Sequence, residues 1–279
     1  MTPQGFDVVA RLVKARSGLV LTPDKLYMLE TRLAPMLRQQ GIASLDALAL
    51  RLGRGAPEER LAAAVTEALT TNETSFFRDG TPFEHLRKVL PKLTMARPPG
   101  AAVRIWSAAC STGQEAYSVA MLAAELAPQL GGRRVEILGT DIAEEILARA
   151  REGAFTQFEV QRGLPVQMLV KYFRQDPAGD GRWRIAEPLR AMARFQSFNL
   201  LGDPRALGTF DVIFCRNVLI YFDPPTKAQV LAAVASRLAP DGYLYLGGAE
   251  TVLGLTDRLV PVPGQRGVHE LPRPAALTA

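Results

Sequence analysis

The chain has 279 residues, of which 48% are hydrophobic and 22% charged; this composition is ordinary for a folded globular protein, with room for one large domain or two smaller ones. Its 33 basic and 28 acidic residues give a net charge of +5 but form no basic block, which favours a mixed solvated surface over nucleic-acid binding and leaves an acidic partner as the alternative. With only two cysteines and two histidines, we expect neither a disulfide framework nor a metal site. The sequence has no long apolar run and no signal-like N-terminus, so we expect neither membrane insertion nor export, and hence a cytoplasmic protein.

Apolar residues at helical spacing predict a helical domain over residues 1–80. A first helix keeps this period up to Ser17-Gly18. A second follows Thr22-Pro23-Asp24, which supply an N-cap, a first-turn proline and an acid, and it ends at Gly41. Two more helices are predicted to begin at Ser44 and at Pro57-Glu58-Glu59.

Residues 81–100 are predicted to be a connecting helix and a linker. Thr81-Pro82-Phe83-Glu84 has the spacing of a capping box, and the helix should end near Leu93. Met95 to Gly100 contains Pro98-Pro99-Gly100 and is the clearest linker in the chain.

From residue 101 to 279, short apolar runs alternate with helical periods, which is typical of a parallel sheet. The predicted strands are Val103–Ser107, Val135–Thr140, Phe210–Cys215 and Gly242–Leu246. Residues from about 155 to 201 lose this rhythm. There a turn over Asp176–Gly181 separates two short strand-like segments, which predicts a small β-hairpin inserted in the sheet domain.

Polar residues follow three of the predicted strands, where ligands bind in sheets of this kind. The first strand leads into a turn with one glycine, Gly113, followed by Glu115. A carboxylate here would repel a pyrophosphate, so the ligand should be cationic or neutral, and S-adenosylmethionine fits; alternatively, Glu115 only complements the helix dipole. Asp141 ends the second strand and is interpreted as a ribose ligand, with a helix N-cap as the alternative.

Arg216-Asn217 follows the third strand and leads through an apolar run to Tyr221. This segment either lines a substrate mouth or is a buried loop whose polar groups are satisfied internally. A nucleophilic Cys110 is less favoured, because neither histidine lies in a partner motif. A serine hydrolase is not favoured either, since no G-x-S-x-G motif occurs.

Five motifs, in order and over nearly the whole chain, resemble the bacterial chemotaxis receptor glutamate O-methyltransferases. They are Thr71-Asn72-Glu73-Thr74-Ser75-Phe76-Phe77-Arg78, Trp106-Ser107-Ala108-Ala109-Cys110-Ser111-Thr112-Gly113, Gly139-Thr140-Asp141-Ile142, Phe198-Asn199-Leu200 and Cys215-Arg216-Asn217-Val218-Leu219-Ile220-Tyr221-Phe222-Asp223. The second and the last are highly specific. Gln114 and Ala116 depart from the family's usual Glu and Pro, whereas Glu115 is kept.

The resemblance implies an α/β fold: a Rossmann-like S-adenosylmethionine-dependent methyltransferase domain at 101–279, with an inserted small antiparallel β-subdomain at about 160–198, preceded by a small all-α N-terminal domain. It implies that S-adenosylmethionine, with S-adenosylhomocysteine as product, is surrounded by Asn72, Thr74, Arg78, Glu115, Asp141, Asn199, Leu200, Arg216 and Asn217. Arg78 or Tyr221 would face the carboxylate substrate.

The implied partners are methyl-accepting chemotaxis receptors, bound through their cytoplasmic helices and, in some members, through a C-terminal pentapeptide that docks on the β-subdomain. A monomer that neither binds nucleic acid nor inserts into a membrane is expected. A receptor-facing surface over Arg32, Arg38, Arg51 and Arg54 is one hypothesis, with a solvated helix face as the alternative. Two rival functions are methyl transfer to another acceptor, such as RNA or a small molecule, and a module that senses S-adenosylmethionine without transferring its methyl group.

Overall fold

The computed structural model describes residues 1–54, 58–176, 179 and 181–272. Within them the helices are α1 Pro3–Ser17, α2 Leu26–Gln39, α3 Leu45–Gly53, α4 Glu59–Leu69, α5 Thr81–Ala96, α6 Gln114–Glu125, α7 Glu144–Glu152, α8 Gln157–Gln161, α9 Val166–Tyr172, α10 Glu187–Arg190 and α11 Pro224–Ala235. The strands are β1 Val103–Ala108, β2 Val135–Asp141, β3 Ala154–Phe155, β4 Phe173–Gln175, β5 Trp183–Ile185, β6 Ala193–Ser197, β7 Phe210–Cys215, β8 Leu238–Leu246, β9 Val260–Pro261 and β10 Val268–Glu270.

The chain divides into two compact units. One consists of Met1–Thr71 together with Tyr221–Lys227, and the other of Asn72–Ile220 together with the chain from Ala228 onwards. Among the described residues, no helix combines the length and the apolar character needed to cross a bilayer. The predicted helix start at Pro57, and Pro177, Ala178 and Asp180 of the predicted turn, lie outside the described residues.

The first unit packs α1 to α4 around a single apolar core. Val9, Leu29, Leu48 and Val65 are fully buried in it, and they occupy the apolar faces that the helical spacing predicts. α1 ends at Gly18, whose φ of 79° is the left-handed conformation that stops a helix. The predicted helices α1 and α2 are confirmed, although a 3₁₀ turn over Pro23–Lys25 precedes α2.

Asp223 ties the Tyr221–Lys227 segment to α1 of the same unit. Its carboxylate lies 2.6 Å from the Lys14 ammonium, and the hydrogen bonds from Lys14 and then Thr226 lower the pKa of Asp223 to about 2.

A carboxyl pKa that is lower in the folded state stabilises the fold above the unfolded pKa of ~3.9, and this stabilisation is lost as the pH falls through about 2. We therefore expect Asp223→Asn to flatten the dependence of unfolding free energy on pH between about 4 and 2. Urea unfolding across this range measures the effect, with exposed Asp7→Asn as the control. An unchanged acid slope in Asp223→Asn would contradict it.

The second unit contains a mostly parallel sheet with the strand order β6-β2-β1-β7-β8-β10-β9. β1 pairs in parallel with β2 on one side and with β7 on the other, so the strand order reverses at β1. In sheets of this kind the ligand crevice lies at this point, outside the carboxyl ends of the strands. The four predicted strands are confirmed, and β10 and β9 add an antiparallel edge.

A second, three-stranded antiparallel sheet has the order β3-β5-β4. It contains the predicted hairpin, β4 with β5, and adds β3, which the sequence analysis did not identify. The predicted range of the insertion, about 160–198, includes β6, but β6 pairs in parallel with β2 in the main sheet. β6 is therefore part of the main sheet, and the predicted range extends too far in that direction.

The predicted capping box at Thr81 is wrong. α5 already includes Thr81, its N-cap is Gly80 with φ 61°, and no side chain caps it. The Thr81 N–H donates instead to the Asp79 carbonyl at 2.6 Å, whereas in a capping box it would donate to the Glu84 side chain. α5 also continues to Ala96, into the predicted linker.

Candidate active site

The turn between β1 and α6 has a strained backbone. Ala109 and Ser111 have φ values of 62° and 52°, a left-handed conformation that costs a residue other than glycine about 1–3 kcal/mol. The end of β2 holds the turn: Cys110 N–H donates to the Thr140 carbonyl, and Ser111 N–H to Asp141 Oδ2, both at 2.9 Å. The first two strands therefore fix this turn together.

The same conformation recurs in two other segments of the second unit. The described residues other than glycine with positive φ are Phe77, Asp79, Ala109, Ser111 and Asn217. Hydrogen bonds join these segments, because Arg216 donates to Asp79 and to Glu115, while Ser111 Oγ donates to the Asn72 carbonyl. Strained backbone conformations cluster at functional sites. We take these hydrogen-bonded segments, at the rim of the sheet where β1, β2 and β7 end, as the candidate site.

Asp141 is buried at the end of β2, with 7% of its surface exposed. Its carboxylate accepts the N–H of Ser111 at 2.9 Å and that of Ala143 at 3.2 Å. Burial raises the pKa of Asp141, and these backbone donors oppose the rise. The N-cap alternative is wrong, since the N-cap of α7 is Ala143. Two donors leave lone pairs free on this carboxylate, which can accept hydroxyl groups.

Arg216 is the buried charge at the centre of the site, with 2% of its side chain exposed. Its guanidinium donates to Glu115 Oε2 at 2.9 Å, to Asp79 Oδ2 at 2.6 Å and to the Arg78 carbonyl at 2.8 Å. Glu115 also accepts a hydrogen bond from Ser107 Oγ at 2.7 Å. The negative charge of Glu115, which was predicted to repel a pyrophosphate, is thus partly compensated by Arg216, 101 residues away.

The Asn72–Asp79 segment is anchored in the second unit by Phe76. This ring is fully buried and contacts Phe155 and Phe173 edge-on. Arg78 donates to the Glu73 carbonyl at 2.9 Å, which folds the segment back on itself. Asn72 and Arg78 therefore both contribute backbone carbonyls to this network, whereas Thr74 is half-buried between them.

Asn199 and Leu200 follow β6, next to the end of β2. Phe198 N–H donates to the Asp141 carbonyl at 3.0 Å, and Leu201 N–H to Asn199 Oδ1 at 3.0 Å. Both predicted residues are half-buried. The parallel pairing of β6 with β2 explains why a segment nearly sixty residues after Asp141 reaches the same rim.

Tyr221 belongs to the first unit. Its ring packs against the helical core there, and its carbonyl accepts the Val20 N–H at 2.9 Å. In the same unit Arg32 donates to the carbonyls of Leu69 and Thr70 at the end of α4, and Arg51 pairs with Glu58. These contacts give Arg32 and Arg51 structural roles within the helical unit.

The cysteines and histidines offer no nucleophile or base at this rim. Burial raises the pKa of Cys110 and of Cys215 well above its usual range, so both thiols stay protonated at neutral pH. Burial lowers the pKa of both histidines; His85 bonds the Tyr245 hydroxyl, and His269 lies in β10. Within the described ranges no His, Cys, Asp and Glu cluster could hold a metal ion.

Two family models cover nearly the whole chain. One, described as CheR methyltransferase, SAM binding domain, matches residues 72–268, and the other, CheR methyltransferase, all-alpha domain, matches residues 4–70. The chain belongs to the CheR methyltransferase family. CheR relatives include chemotaxis protein methyltransferase Cher2 of Pseudomonas putida, 41% identical over 94% of this chain and 96% of the relative. Chemotaxis protein methyltransferase 1 of Pseudomonas aeruginosa is 39% identical with the same coverage.

This membership confirms the resemblance and the predicted fold class, and it makes S-adenosylmethionine the cofactor. The residues present fit that ligand. Asp141 makes no ion pair with any described residue, so its unused lone pairs are available to ribose hydroxyls. The net charge of the site is negative, because it combines three carboxylates with the single guanidinium of Arg216; the carboxylates are those of Asp79, Glu115 and Asp141. A negative site suits the sulfonium and ammonium groups of the cofactor and disfavours a pyrophosphate.

Three polar residues at the candidate site, Asp79, Ser111 and Glu250, were not predicted from the sequence. Asp79 directly follows one predicted motif and Ser111 lies within another, but the positive φ of a residue other than glycine cannot be read from sequence. Glu250 accepts backbone N–H groups from a segment about thirty residues away. Its one available signal is its place shortly after the Gly247-Gly248 pair that follows β8.

Proposed function

We propose that this chain methylates glutamate side chains of chemoreceptors and so forms glutamyl methyl esters. The observation that carries this proposal is the acid-rich rim around Asp141 and Arg216, which fits S-adenosylmethionine and contains neither histidine. The names of the relatives, chemotaxis protein methyltransferases, support a chemoreceptor as the substrate. Such a substrate would present its glutamates on cytoplasmic helices, which puts the activity in the cytoplasm.

A glutamate acceptor needs no general base. Its pKa of ~4.3 makes it an anion at neutral pH, whereas an amine or a hydroxyl acceptor would first have to lose a proton. When bound, S-adenosylmethionine supplies the methyl group and leaves as the neutral thioether S-adenosylhomocysteine. The absence of a histidine among the described residues at the rim agrees with this chemistry.

The protein's task is then to position the reacting groups. Holding oxygen, carbon and sulfur in line can contribute ~7–11 kcal/mol. We assign Asp141 as the ligand of the cofactor's ribose hydroxyls, and Asn199 and Asn217 as ligands that bind the cofactor through their side-chain amides. Arg78 or Tyr221 orients the carboxylate. A single donor suffices, because a tight bidentate clamp would stabilise the ground state as much as the transition state.

Tyr221→Phe tests the substrate-orienting role. Loss of one hydrogen bond to a charged group costs about 1.5–3 kcal/mol, so we expect kcat to fall roughly tenfold to a hundredfold. Affinity for S-adenosylhomocysteine, measured by calorimetry, should stay unchanged, because the ring and its packing are retained. The control is Tyr27→Phe, whose side chain is 79% exposed in the same unit.

Two outcomes would change this assignment. A loss of S-adenosylhomocysteine affinity in Tyr221→Phe would make Tyr221 a cofactor ligand, and an unchanged kcat would remove it from the reaction altogether.

Transfer of labelled methyl from S-adenosylmethionine to a purified receptor cytoplasmic fragment tests the proposed function. The label should be released as methanol by mild base, as an ester is, and it should be absent when the receptor glutamates are replaced by alanine. Label on RNA or on a small molecule instead would favour another acceptor. Tight binding without any transfer would favour the sensing module.

The three-stranded sheet also offers a place for the proposed C-terminal pentapeptide. β5 is central in it, so β3 and β4 are edge strands that can accept an added strand. Calorimetric titration of receptor C-terminal peptides into the full chain tests this docking. We also propose that the enzyme acts as a monomer, which light scattering can check.

A further inference from the structure

The Glu250 carboxylate is bound almost entirely by backbone N–H groups. Oε2 accepts hydrogen bonds from two residues and Oε1 from three. The donors and distances are Gly247 at 2.6 Å, Asn217 at 2.8 Å, Leu219 at 2.8 Å, Val218 at 2.9 Å and Ile220 at 3.3 Å. Glu250 makes no ion pair with any residue that the structure describes. Its charge is therefore balanced by successive peptide dipoles, the arrangement known as an anion nest.

This nest determines the conformation of the loop after β7. Four consecutive residues, 217 to 220, direct their N–H groups at one carboxylate. Asn217 is left-handed, with φ 56°, which lets the chain turn around the anion. Hydrogen bonds to an ionised acceptor are roughly twice as strong as neutral ones, so the carboxylate can hold a conformation that the sequence would not otherwise favour.

The end of β8 takes part in the same arrangement. A Cβ atom added at Gly247 would lie 2.7 Å from Glu250 Oε2 and 2.8 Å from Asn217 Nδ2. Gly247 thus allows a close approach between the end of β8 and the Asn217 side chain. The loop also begins directly after Arg216, which is itself fixed by Glu115 and Asp79.

We propose that Glu250 is a positioning residue of this methyltransferase: its carboxylate holds the 217–220 loop so that Asn217 faces the cofactor. The inference rests on the proposed place of Asn217 in the cofactor site. Glu250 itself touches no reacting atom. It acts through the backbone of the loop.

Glu250→Gln is the decisive variant. An amide keeps one acceptor oxygen, but its NH₂ group faces backbone donors on the other side, so either the Asn217 and Gly247 bonds or the bonds from 218 to 220 are lost. We expect the amides of 217–220 to exchange with solvent at least tenfold faster in the ligand-free protein. We expect the Kd of S-adenosylhomocysteine to rise about tenfold, and kcat/KM to fall at least as much.

Glu187→Gln is the matched control, because Glu187 is an exposed residue of α10 whose carboxylate pairs with Arg190. It should leave exchange, affinity and turnover at their wild-type values. Glu250→Asp keeps the charge with a shorter reach, and we expect intermediate values for it. It also serves as the test if Glu250→Gln does not fold.

Faster exchange of the loop with unchanged affinity and turnover would overturn the proposal, because Glu250 would then be only structural. Unchanged exchange in both variants would overturn it too, since the carboxylate would not be holding the loop. Exchange and S-adenosylhomocysteine binding need no methyl acceptor. A failure of the proposed glutamate specificity therefore gives a different result, namely intact binding without transfer.

Discussion

Replacing Asp141 with alanine is expected to weaken the binding of S-adenosylhomocysteine by about a hundredfold. The carboxylate is buried at the end of β2 and accepts two backbone N–H groups, which aim it while leaving lone pairs free. Hydrogen bonds from ribose hydroxyls to an ionised carboxylate contribute about 1.5–3 kcal/mol each, and a loss of about 3 kcal/mol corresponds to roughly a hundredfold in Kd. Calorimetric titration of the full chain measures it.

Two controls separate the ligand role of Asp141 from its role in the turn. Asp141→Asn keeps the shape and one acceptor oxygen, so its Kd should lie between those of the wild type and the alanine variant. Asp257→Ala alters an exposed aspartate of the same unit and should change nothing. Unchanged affinity in a folded Asp141→Ala protein would refute the ribose assignment.

Replacing Arg216 with alanine is expected to lower the free energy of unfolding of the second unit by about 3–5 kcal/mol. The guanidinium is buried between Glu115 and Asp79 and lies 5.9 Å from the centre of the Phe83 ring. Its removal leaves Glu115, which is only 12% exposed, as a buried carboxylate without its cation. Breaking one side of such a pair costs more than replacing both sides.

Thermal and urea unfolding of Arg216→Ala measure this loss, and the double variant Arg216→Ala with Glu115→Gln completes the comparison. If the unpaired charge of Glu115 is the main cause, the double variant recovers part of the lost stability. Arg205→Ala, which removes an exposed ion pair with Asp203, should change stability by well under 1 kcal/mol. Equal stability of Arg216→Ala and the wild type would contradict the buried-charge explanation.

The main sheet could be predicted from the sequence because its central strands are continuous buried runs. β7 is buried at every position, and such runs between helical periods are typical of parallel sheets. β6 was missed for the opposite reason. It is an edge strand, and its Ala-Arg-Phe-Gln-Ser sequence exposes several positions, so no continuous apolar run distinguishes it from a loop.

The site could be predicted only in part, because its polar contacts join distant parts of the chain. Glu115 was expected to act as a bare carboxylate, yet Arg216, 101 residues away, partly compensates its charge. Spacing within a motif carries no information about such a pair. Glu250 was missed for a related reason, since its partners are backbone N–H groups, which every residue except proline has and which therefore leave no trace in composition.

The left-handed backbone conformations at the rim limit how this enzyme can be made more thermostable. Glycine at Ala109 or Ser111 would adopt the same φ without steric cost in the folded state, and by that measure alone these positions are attractive for thermal stabilisation. The same change would let the turn adopt many other conformations, so any gain in thermal stability would come with weaker binding of S-adenosylmethionine. Protein engineers should therefore look for extra stability in the helical unit and leave the rim as it is.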